Sequence, residues 1–179
     1  GDVNFAGALG GRGKVTIAGA FNVTGSGSFL SGTGSLTTQG VSTVSMATVT
    51  GWMSLVNGYT WVNQGTLTVG GDERILFGYL NNFDSSGVNT LTNAAIGTIN
   101  LSSSYATPLE WLNGSNTAIF NNAGTLNQTA AGAHAIHGNI AFNNTGAVNV
   151  LAGTLTVGGG GNDTGLYSID SGATLNFAG

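Results

Sequence analysis

The sequence predicts an all-β protein, a right-handed parallel β-helix of about six or seven coils, each 20–22 residues long. Three observations support this fold class. Short segments alternate between apolar residues and Thr or Asn, an aromatic residue repeatedly precedes a glycine by four positions, and no window of a dozen residues has an apolar stripe at helical spacing. Short strands that recur at a regular interval are typical of a chain that winds into a solenoid.

Aromatic residues mark the repeat. Five segments place an aromatic residue four positions before a glycine, and they begin at Phe21, Trp61, Phe83, Phe120 and Phe142. Trp61 and Phe83 are 22 residues apart, and so are Phe120 and Phe142. The interval from Phe83 to Phe120 is 37 residues, which predicts one coil of 22 with 15 extra residues. We expect this surplus to form one inserted loop near residues 102–117, where the only proline interrupts the alternation.

Alternating segments predict the strands and the core. The clearest segments are residues 65–69, 97–101, 124–127, 146–150 and 153–157. Their apolar residues should face inward and form stacked columns, namely Leu67, Ile99, Leu126, Val148 and Leu155. One coil buries about five such side chains at roughly 2 kcal/mol each, whereas ordering its backbone costs on the order of 30 kcal/mol. A coil is therefore stable only when it stacks on its neighbours.

Glycine and Asn–Asn pairs predict the corners between strands. We expect glycine to supply positive φ there, and Asn to tolerate a left-handed backbone while its amide bonds to the Asn of the next coil. The coil boundaries are less clear in the first 50 residues, where Gly40 and Val41 are the predicted corner.

Composition excludes several classes of function. Only 6% of residues are charged and the formal charge is −4, whereas about a quarter of residues are charged in an average soluble domain. Three basic residues, Arg12, Lys14 and Arg74, are too few to neutralise a run of phosphates, so we expect no nucleic-acid partner. There is no cysteine for disulfides or thiolate metal sites. No apolar run approaches the roughly 18 residues needed to insert into a membrane.

Two sequence units resemble the repeats of a known class of proteins. The F-N-N-x-G-x-[LV]-N and G-T-L-T-V units, clearest in residues 61–179, are similar to the degenerate repeats of autotransporter passengers and filamentous-haemagglutinin-like adhesins. The resemblance implies a secreted or cell-surface β-helix that serves as a structural rod segment of an extracellular bacterial protein. We expect residues 1–179 to form a single β-solenoid domain, a fragment of a longer repetitive protein, with strand edges that can associate end to end.

The predicted ligand-binding residues lie in the inserted loop and in a charged triplet. Tyr105, Glu110 and Trp111 are candidates because an aromatic side chain beside a carboxylate can stack on a sugar ring. Asp72 and Glu73, which form the charged triplet with Arg74, extend this candidate site. The alternative function is therefore a carbohydrate-binding or carbohydrate-cleaving module whose partners are glycans or the surface of a host or neighbouring cell.

Two observations weigh against catalysis and against exposure of the inserted loop. No catalytic residues are predicted, because a cleaving groove needs paired carboxylates, and the alternation places Thr and Asn in successive coils instead. Trp111 and Leu112 can also fold back and cover the side of the solenoid.

No metal or cofactor is predicted. His134 and His137 are three positions apart in a strand-like segment, so they should point to opposite faces. Residues 158–163, GGGGND, match part of a calcium-binding repeat but occur once, which favours a glycine-rich corner and leaves calcium binding there open.

The outward Thr and Asn residues suggest a third function. Four pairs should lie on strand exteriors: Thr66 and Thr68, Thr98 and Asn100, Thr125 and Asn127, and Thr154 and Thr156. A flat array of these side chains is similar to the ice-facing surface of β-solenoid antifreeze proteins. Thr is also common on the exposed face of any strand.

Overall fold

The computed structural model describes residues 1–46, 50–80, 83–112 and 115–179, with backbone only at 79, 80, 83 and 84. These residues form a parallel β-helix of three parallel sheets, two with eight strands and one with six, plus a two-stranded antiparallel hairpin. The predicted all-β solenoid is confirmed, and the eight strands of two sheets give eight coils, more than predicted. Within the described ranges, no helix is long and apolar enough to cross a membrane.

The strands follow each other around the coil in a fixed order, from sheet 1 to sheet 2 to sheet 3. Sheet 1 consists of β1 (Val3–Phe5), β4 (Phe21–Val23), β7 (Val41–Val44), β10 (Thr66–Val69), β15 (Thr98–Leu101), β18 (Thr125–Gln128), β21 (Ala147–Val150) and β23 (Leu166–Ile169). Sheet 2 consists of β2 (Ala8–Gly10), β5 (Ser28–Ser31), β8 (Trp52–Val56), β11 (Arg74–Phe77), β16 (Leu109–Trp111), β19 (Ala133–Ile136), β22 (Thr154–Val157) and β24 (Thr174–Phe177). Sheet 3 consists of β3 (Lys14–Ile17), β6 (Ser35–Thr38), β9 (Thr60–Asn63), β14 (Gly87–Asn93), β17 (Asn116–Asn122) and β20 (Ile140–Asn144).

The core consists of inward columns that run along the solenoid axis. The predicted core residues are all fully buried, which confirms them: Leu67, Ile99, Leu126, Val148 and Leu155. The first four lie in register in sheet 1, and Leu155 belongs to sheet 2. The alternation predicted them because inward positions recur every two residues along a strand with one buried face.

The aromatic residues are a poorer guide to the coil. In sheet 3, one inward column contains Leu36, Trp61, Leu91, Phe120 and Phe142. Phe21 lies in sheet 1 instead, and Phe83 pairs with Leu80 in the hairpin, so the predicted repeat was wrong at both positions. Leu91 fills the place that an aromatic residue fills elsewhere, because the column requires apolar volume and no particular ring.

The extra residues of the long coils do not form one loop. Part of the surplus is the hairpin of β12 (Tyr79–Leu80) and β13 (Phe83–Asp84), which lies between β11 and β14. The predicted loop at residues 102–117 contains β16, a regular strand of sheet 2, so its description as a single insertion was wrong. The connection from β15 to β16 is nevertheless longer than the one from β18 to β19.

Three corners join the sheets: corner 1 leads from sheet 1 to sheet 2, corner 2 from sheet 2 to sheet 3, and corner 3 back to sheet 1. The predicted corner at Gly40 and Val41 is confirmed for Gly40, which lies in corner 3, whereas Val41 is the first residue of β7. A Cβ on Gly65 would lie 2.0 Å from the Gly40 carbonyl oxygen, and one on Gly124 would lie 2.2 Å from that of Gly97. These glycines lack positive φ. They are required because the coils approach closely, which corrects the predicted reason.

Candidate functional site

The outward face of sheet 2 holds a cluster of aromatic and charged side chains, which we call the Arg74 cluster: Trp52, Arg74, Tyr105 and Glu110. Arg74 of β11 lies beside Trp52 of β8 in register. Its guanidinium carbon is 4.2 Å from the centre of the Tyr105 ring and 5.6 Å from that of Trp52. Arg74 Nε is 2.8 Å from Glu110 Oε2. One cation therefore joins side chains from three successive coils.

The Arg74–Glu110 pair is largely removed from solvent. The two side chains are 12% and 17% exposed. Their contact is an ion pair without a well-directed hydrogen bond, because neither Arg74 Nε nor Glu110 Oε2 has a hydrogen-bond partner of good geometry among the described residues. Burial raises the pKa of Glu110, whereas Arg74 and His137 act in the opposite direction. Glu110 therefore holds a proton more readily than an ordinary surface carboxylate.

Trp111 follows Glu110 in β16, pairs in register with the buried Phe77, and has two environments. Its side chain is partly buried and packs against the apolar core. Its ring centre is 5.9 Å from that of His137, which comes from the next coil. Trp111 thus covers part of the solenoid side, as in the second interpretation of the sequence, and keeps part of its surface exposed.

The two acidic residues of the charged triplet diverge. Glu73 is buried, with 1% of its surface exposed, and its Oε1 accepts a hydrogen bond from the Met46 amide at 3.0 Å. Asp72 accepts hydrogen bonds from the Thr50 hydroxyl at 2.8 Å and the Ser104 hydroxyl at 3.3 Å. These side chains have different partners, so the structure does not bring them together as one site.

Sequence reasoning missed Trp52. It is 22 positions before Arg74, and only the pairing of β8 with β11 brings the two together. The 22-residue interval between Trp61 and Phe83 would have found it, but that interval was applied only to aromatic residues that precede a glycine by four positions. Val56 stands four positions after Trp52, so Trp52 was not counted.

The two histidines have different surroundings: His134 lies within β19, and His137 follows its last residue, Ile136. His134 is 4% exposed, and its Nε2 is 3.1 Å from the Ala131 carbonyl oxygen. Burial lowers the pKa of His134, which favours the neutral ring. His137 lies beside Trp111 instead. In the described part of the chain, no group of three His, Asp or Glu side chains is arranged to hold a metal ion.

The carboxylate of the GGGGND segment is engaged by protein donors. Asp163 Oδ1 accepts hydrogen bonds from Asn144 Nδ2 at 3.3 Å and from the Gly165 amide at 3.1 Å. Its Oδ2 accepts one from the Tyr167 hydroxyl. Burial and the Asp163 carboxylate raise the pKa of Tyr167 well above its ordinary value. Asp163 therefore has an internal role that competes with calcium binding.

A small cavity lies beside this glycine-rich segment. Its volume is about 160 Å³, and its lining includes Phe142, Val157 and Phe177. It lies below β20, the last strand of sheet 3, where glycines take the place of larger side chains. Asp163 is its one charged lining residue, and its hydrogen bonds to protein donors leave the cavity without an obvious polar anchor.

The outward rows of sheet 1 agree in part with the proposed ice-facing array. Thr66, Thr98 and Thr125 lie in register in one row. In the next row, the amides of Asn127 and Asn149 are linked to each other at 2.9 Å. Thr154 and Thr156 are outward, as predicted, but they lie in β22 of sheet 2 and therefore cannot belong to the same flat array.

Comparison of the chain with protein-family models, with curated proteins and with solved structures finds no match. Function is therefore inferred from the residues and their geometry.

Proposed function

We propose that this chain is a structural rod segment of a secreted bacterial surface protein of the adhesin or autotransporter type. One observation carries the proposal. A single outward row of sheet 1 continues in register through all eight coils, from Asn4 to Ser168. With about 4.8 Å between adjacent strands, this row is about 34 Å long. Such a body holds the parts of a protein on either side of it at a fixed distance.

The composition of the surface supports the same proposal. The eight strands of sheet 1 contain no charged residue, and their outward positions are mostly Thr and Asn. Neutral hydroxyls and amides keep a rod hydrated without attracting a charged partner. In the Arg74 cluster, the charges of Arg74 and Glu110 are directed at each other. These features suit a spacer better than a binding groove.

The fixed distance can be measured directly, because the chain contains no cysteine. Spin labels on cysteines introduced by Asn4→Cys and Ser168→Cys should give a narrow distance distribution centred near 34 Å by pulsed electron paramagnetic resonance, on protein displayed at a bacterial surface. Leu126→Asp is the control, because a buried unpaired charge should unfold the solenoid and broaden the distribution. A broad distribution in the parent chain would contradict a rigid spacer.

A carbohydrate-binding module is the second candidate, and the Arg74 cluster with Trp111 is the observation that favours it. Trp111 keeps part of its surface exposed, whereas the Tyr105 ring already stacks on a cation. A glycan array should therefore be probed with the parent chain and with Trp111→Ala. Specific binding that disappears in Trp111→Ala would replace the spacer by this second function. Release of new sugar ends from a polysaccharide would make the protein an enzyme.

A further inference from the structure

Four buried asparagines lie one below another in sheet 3, and we call them the asparagine column: Asn63, Asn93, Asn122 and Asn144. They occupy matching positions of β9, β14, β17 and β20. Each is at most 1% exposed. An amide buried in an apolar core is destabilising unless its polar atoms are hydrogen-bonded. The polar atoms of these four amides must therefore find their hydrogen-bond partners inside the protein.

The amides form a continuous chain of hydrogen bonds. Each Nδ2 donates to the Oδ1 of the next coil, at 2.9 Å from Asn63 to Asn93, 2.8 Å from Asn93 to Asn122 and 2.8 Å from Asn122 to Asn144. The same Nδ2 atoms also donate to backbone carbonyl oxygens, those of Thr98, Thr125 and Ala147, at 3.0–3.2 Å. Each amide in these three links thus binds the following coil through both a side chain and the backbone.

All links of the chain point in the same direction. Asn144 Nδ2 donates to the Asp163 carboxylate, which can only accept. If the amides were reversed, amide oxygens would face the carbonyl oxygens of Thr98 and Thr125, and Asn144 Oδ1 would face a carboxylate. The acceptors around the column therefore fix its direction.

Neither coil length nor the apolar alternation can define how these coils stack. Successive column residues are 30, 29, 22 and 19 positions apart down to Asp163, so the chain between them varies widely. The alternation has a period of two, so a slip by two residues keeps every apolar side chain inward. Such a slip would place Phe142 under Asn122 and leave a buried amide without its partner.

We infer that the asparagine column sets the register in which the coils of this solenoid stack. A slip by two residues is excluded because the buried amides lose their hydrogen bonds, as a single buried Asn fixes register in coiled coils. This inference concerns the fold itself and holds whether the solenoid is a spacer or a carbohydrate-binding module.

Disulfide trapping in the cysteine-free chain tests the inference. Thr92→Cys with Asn121→Cys places two thiols in register on the outward face, about 4.8 Å apart at Cα. Thr92→Cys with Ile119→Cys is offset by two residues, about 8 Å apart and too far for a disulfide. We expect only the first pair to oxidise in the parent background. Asn122→Leu should raise the yield of the offset disulfide several-fold, because it removes the two links that Asn122 forms with Asn93 and Asn144.

Asn127→Leu is the matched control. Asn127 forms a similar amide ladder with Asn100, at 2.8 Å, but on the outward face of sheet 1. It should leave the offset disulfide at the background yield. If Asn122→Leu does not fold, Asn122→Thr introduces the residue that Thr38 provides in the same column, and it should still raise the offset yield. An offset yield that stays at background in a folded Asn122 variant would overturn the inference.

A second test adds a fifth asparagine to the column, above Asn63. Asn63 Oδ1 is buried and has no hydrogen-bond partner within the described ranges. Thr38 lies above it and accepts a hydrogen bond from Trp61 Nε1 at 3.1 Å. Thr38→Asn can keep that bond and donate to Asn63, so the urea midpoint should rise, whereas the outward Thr37→Asn should not change it. If the midpoint does not rise, the hydrogen bonds between the column's amides do not stabilise the stacked coils.

Discussion

Gly146 in corner 3 and Gly132 in corner 1 are both required, but for different physical reasons. In corner 3, a Cβ on Gly146 would lie 2.1 Å from the Gly124 carbonyl oxygen, and the φ angle there is not positive. In corner 1, Gly132 has φ of +96° and its nearest neighbour to a Cβ is the His134 ring at 3.7 Å. Gly146 lacks space for a side chain, and Gly132 needs a left-handed backbone. Gly153, also in corner 1, combines both constraints, with φ of +64° and a Cβ position 2.3 Å from the Gly132 carbonyl oxygen.

The difference is consistent with the residues found at other positions of the two corners. Thr50 lies between β7 and β8 in corner 1 and has φ of +63°, so a residue with a side chain occupies a left-handed position there. Corner 3 has glycine in successive coils, including Gly40, Gly65 and Gly124. A backbone preference can be overcome at a modest cost, whereas a coil-to-coil contact must be pushed apart.

Gly124→Ala should cause the largest loss of stability among the substitutions that test this comparison. Its Cβ would lie 2.2 Å from the Gly97 carbonyl oxygen, so the two coils must separate or tilt. We expect a loss of about 3 kcal/mol in the free energy of unfolding, measured by urea denaturation. Gly132→Ala is the matched control. Equal losses at the two positions would show that lack of space does not distinguish corner 3.

Gly132→Ala itself should cost about 1 kcal/mol, since only the left-handed backbone opposes it. Gly132→Asn should cost less, because Asn tolerates this conformation better than Ala does. At Gly124 the order should reverse, with Asn worse than Ala, because a longer side chain aggravates the clash. Urea midpoints of the four variants test the comparison. The same order at both corners would contradict it.

The strands and the core could be predicted from the sequence because they depend on local alternation. Leu126 and Val148 needed only their neighbours in the chain to be identified as inward residues. The coil boundaries could not be predicted in the same way. Leu91 occupies a column in which the sequence suggested aromatics, and the hairpin at β12 and β13 adds residues without changing the stack.

The reasons for corner residues were harder to predict than their positions. Glycine at corner 3 is explained by an atom of the preceding coil, and that atom is known only once the register is known. Asn122 and Asn144, which belong to Asn–Asn pairs, were expected in left-handed corners, but they are strand residues. Only their predicted amide stacking is confirmed.

The candidate site was predictable only in part, because its contacts between coils also depend on the register. Tyr105 and Glu110 do lie together, but around Arg74, which the sequence placed in a different group. Trp52 joins them through strand pairing between coils. Glu73 was separated from Asp72 by the alternation of inward and outward positions, which a charged triplet at a corner did not reveal.

The smallest expected difference between the corners is their response to pH. Corner 1 contains the Ala131 carbonyl, which faces Nε2 of the buried His134, while Nδ1 of this ring has no partner within the described residues. Burial lowers the folded-state pKa of His134, so below about pH 6.5 the unfolded chain binds a proton that the folded chain resists. Stability should therefore fall as the pH decreases through this range.

The measurement is the urea midpoint at pH 7.5 and pH 5.5, compared between the parent chain and His134→Gln. Glutamine can still donate to the Ala131 carbonyl but does not titrate, so the decrease should be smaller in this variant. Glu110 has a raised pKa and contributes with the opposite sign, as the folded state gains its proton first, but it is common to both chains and cancels in the difference. The side-chain amide of Asn122, which precedes corner 3, does not titrate, so Asn122→Thr should keep the parent response. An unchanged decrease in His134→Gln would mean that the pH response arises elsewhere and that the corners do not differ in this respect.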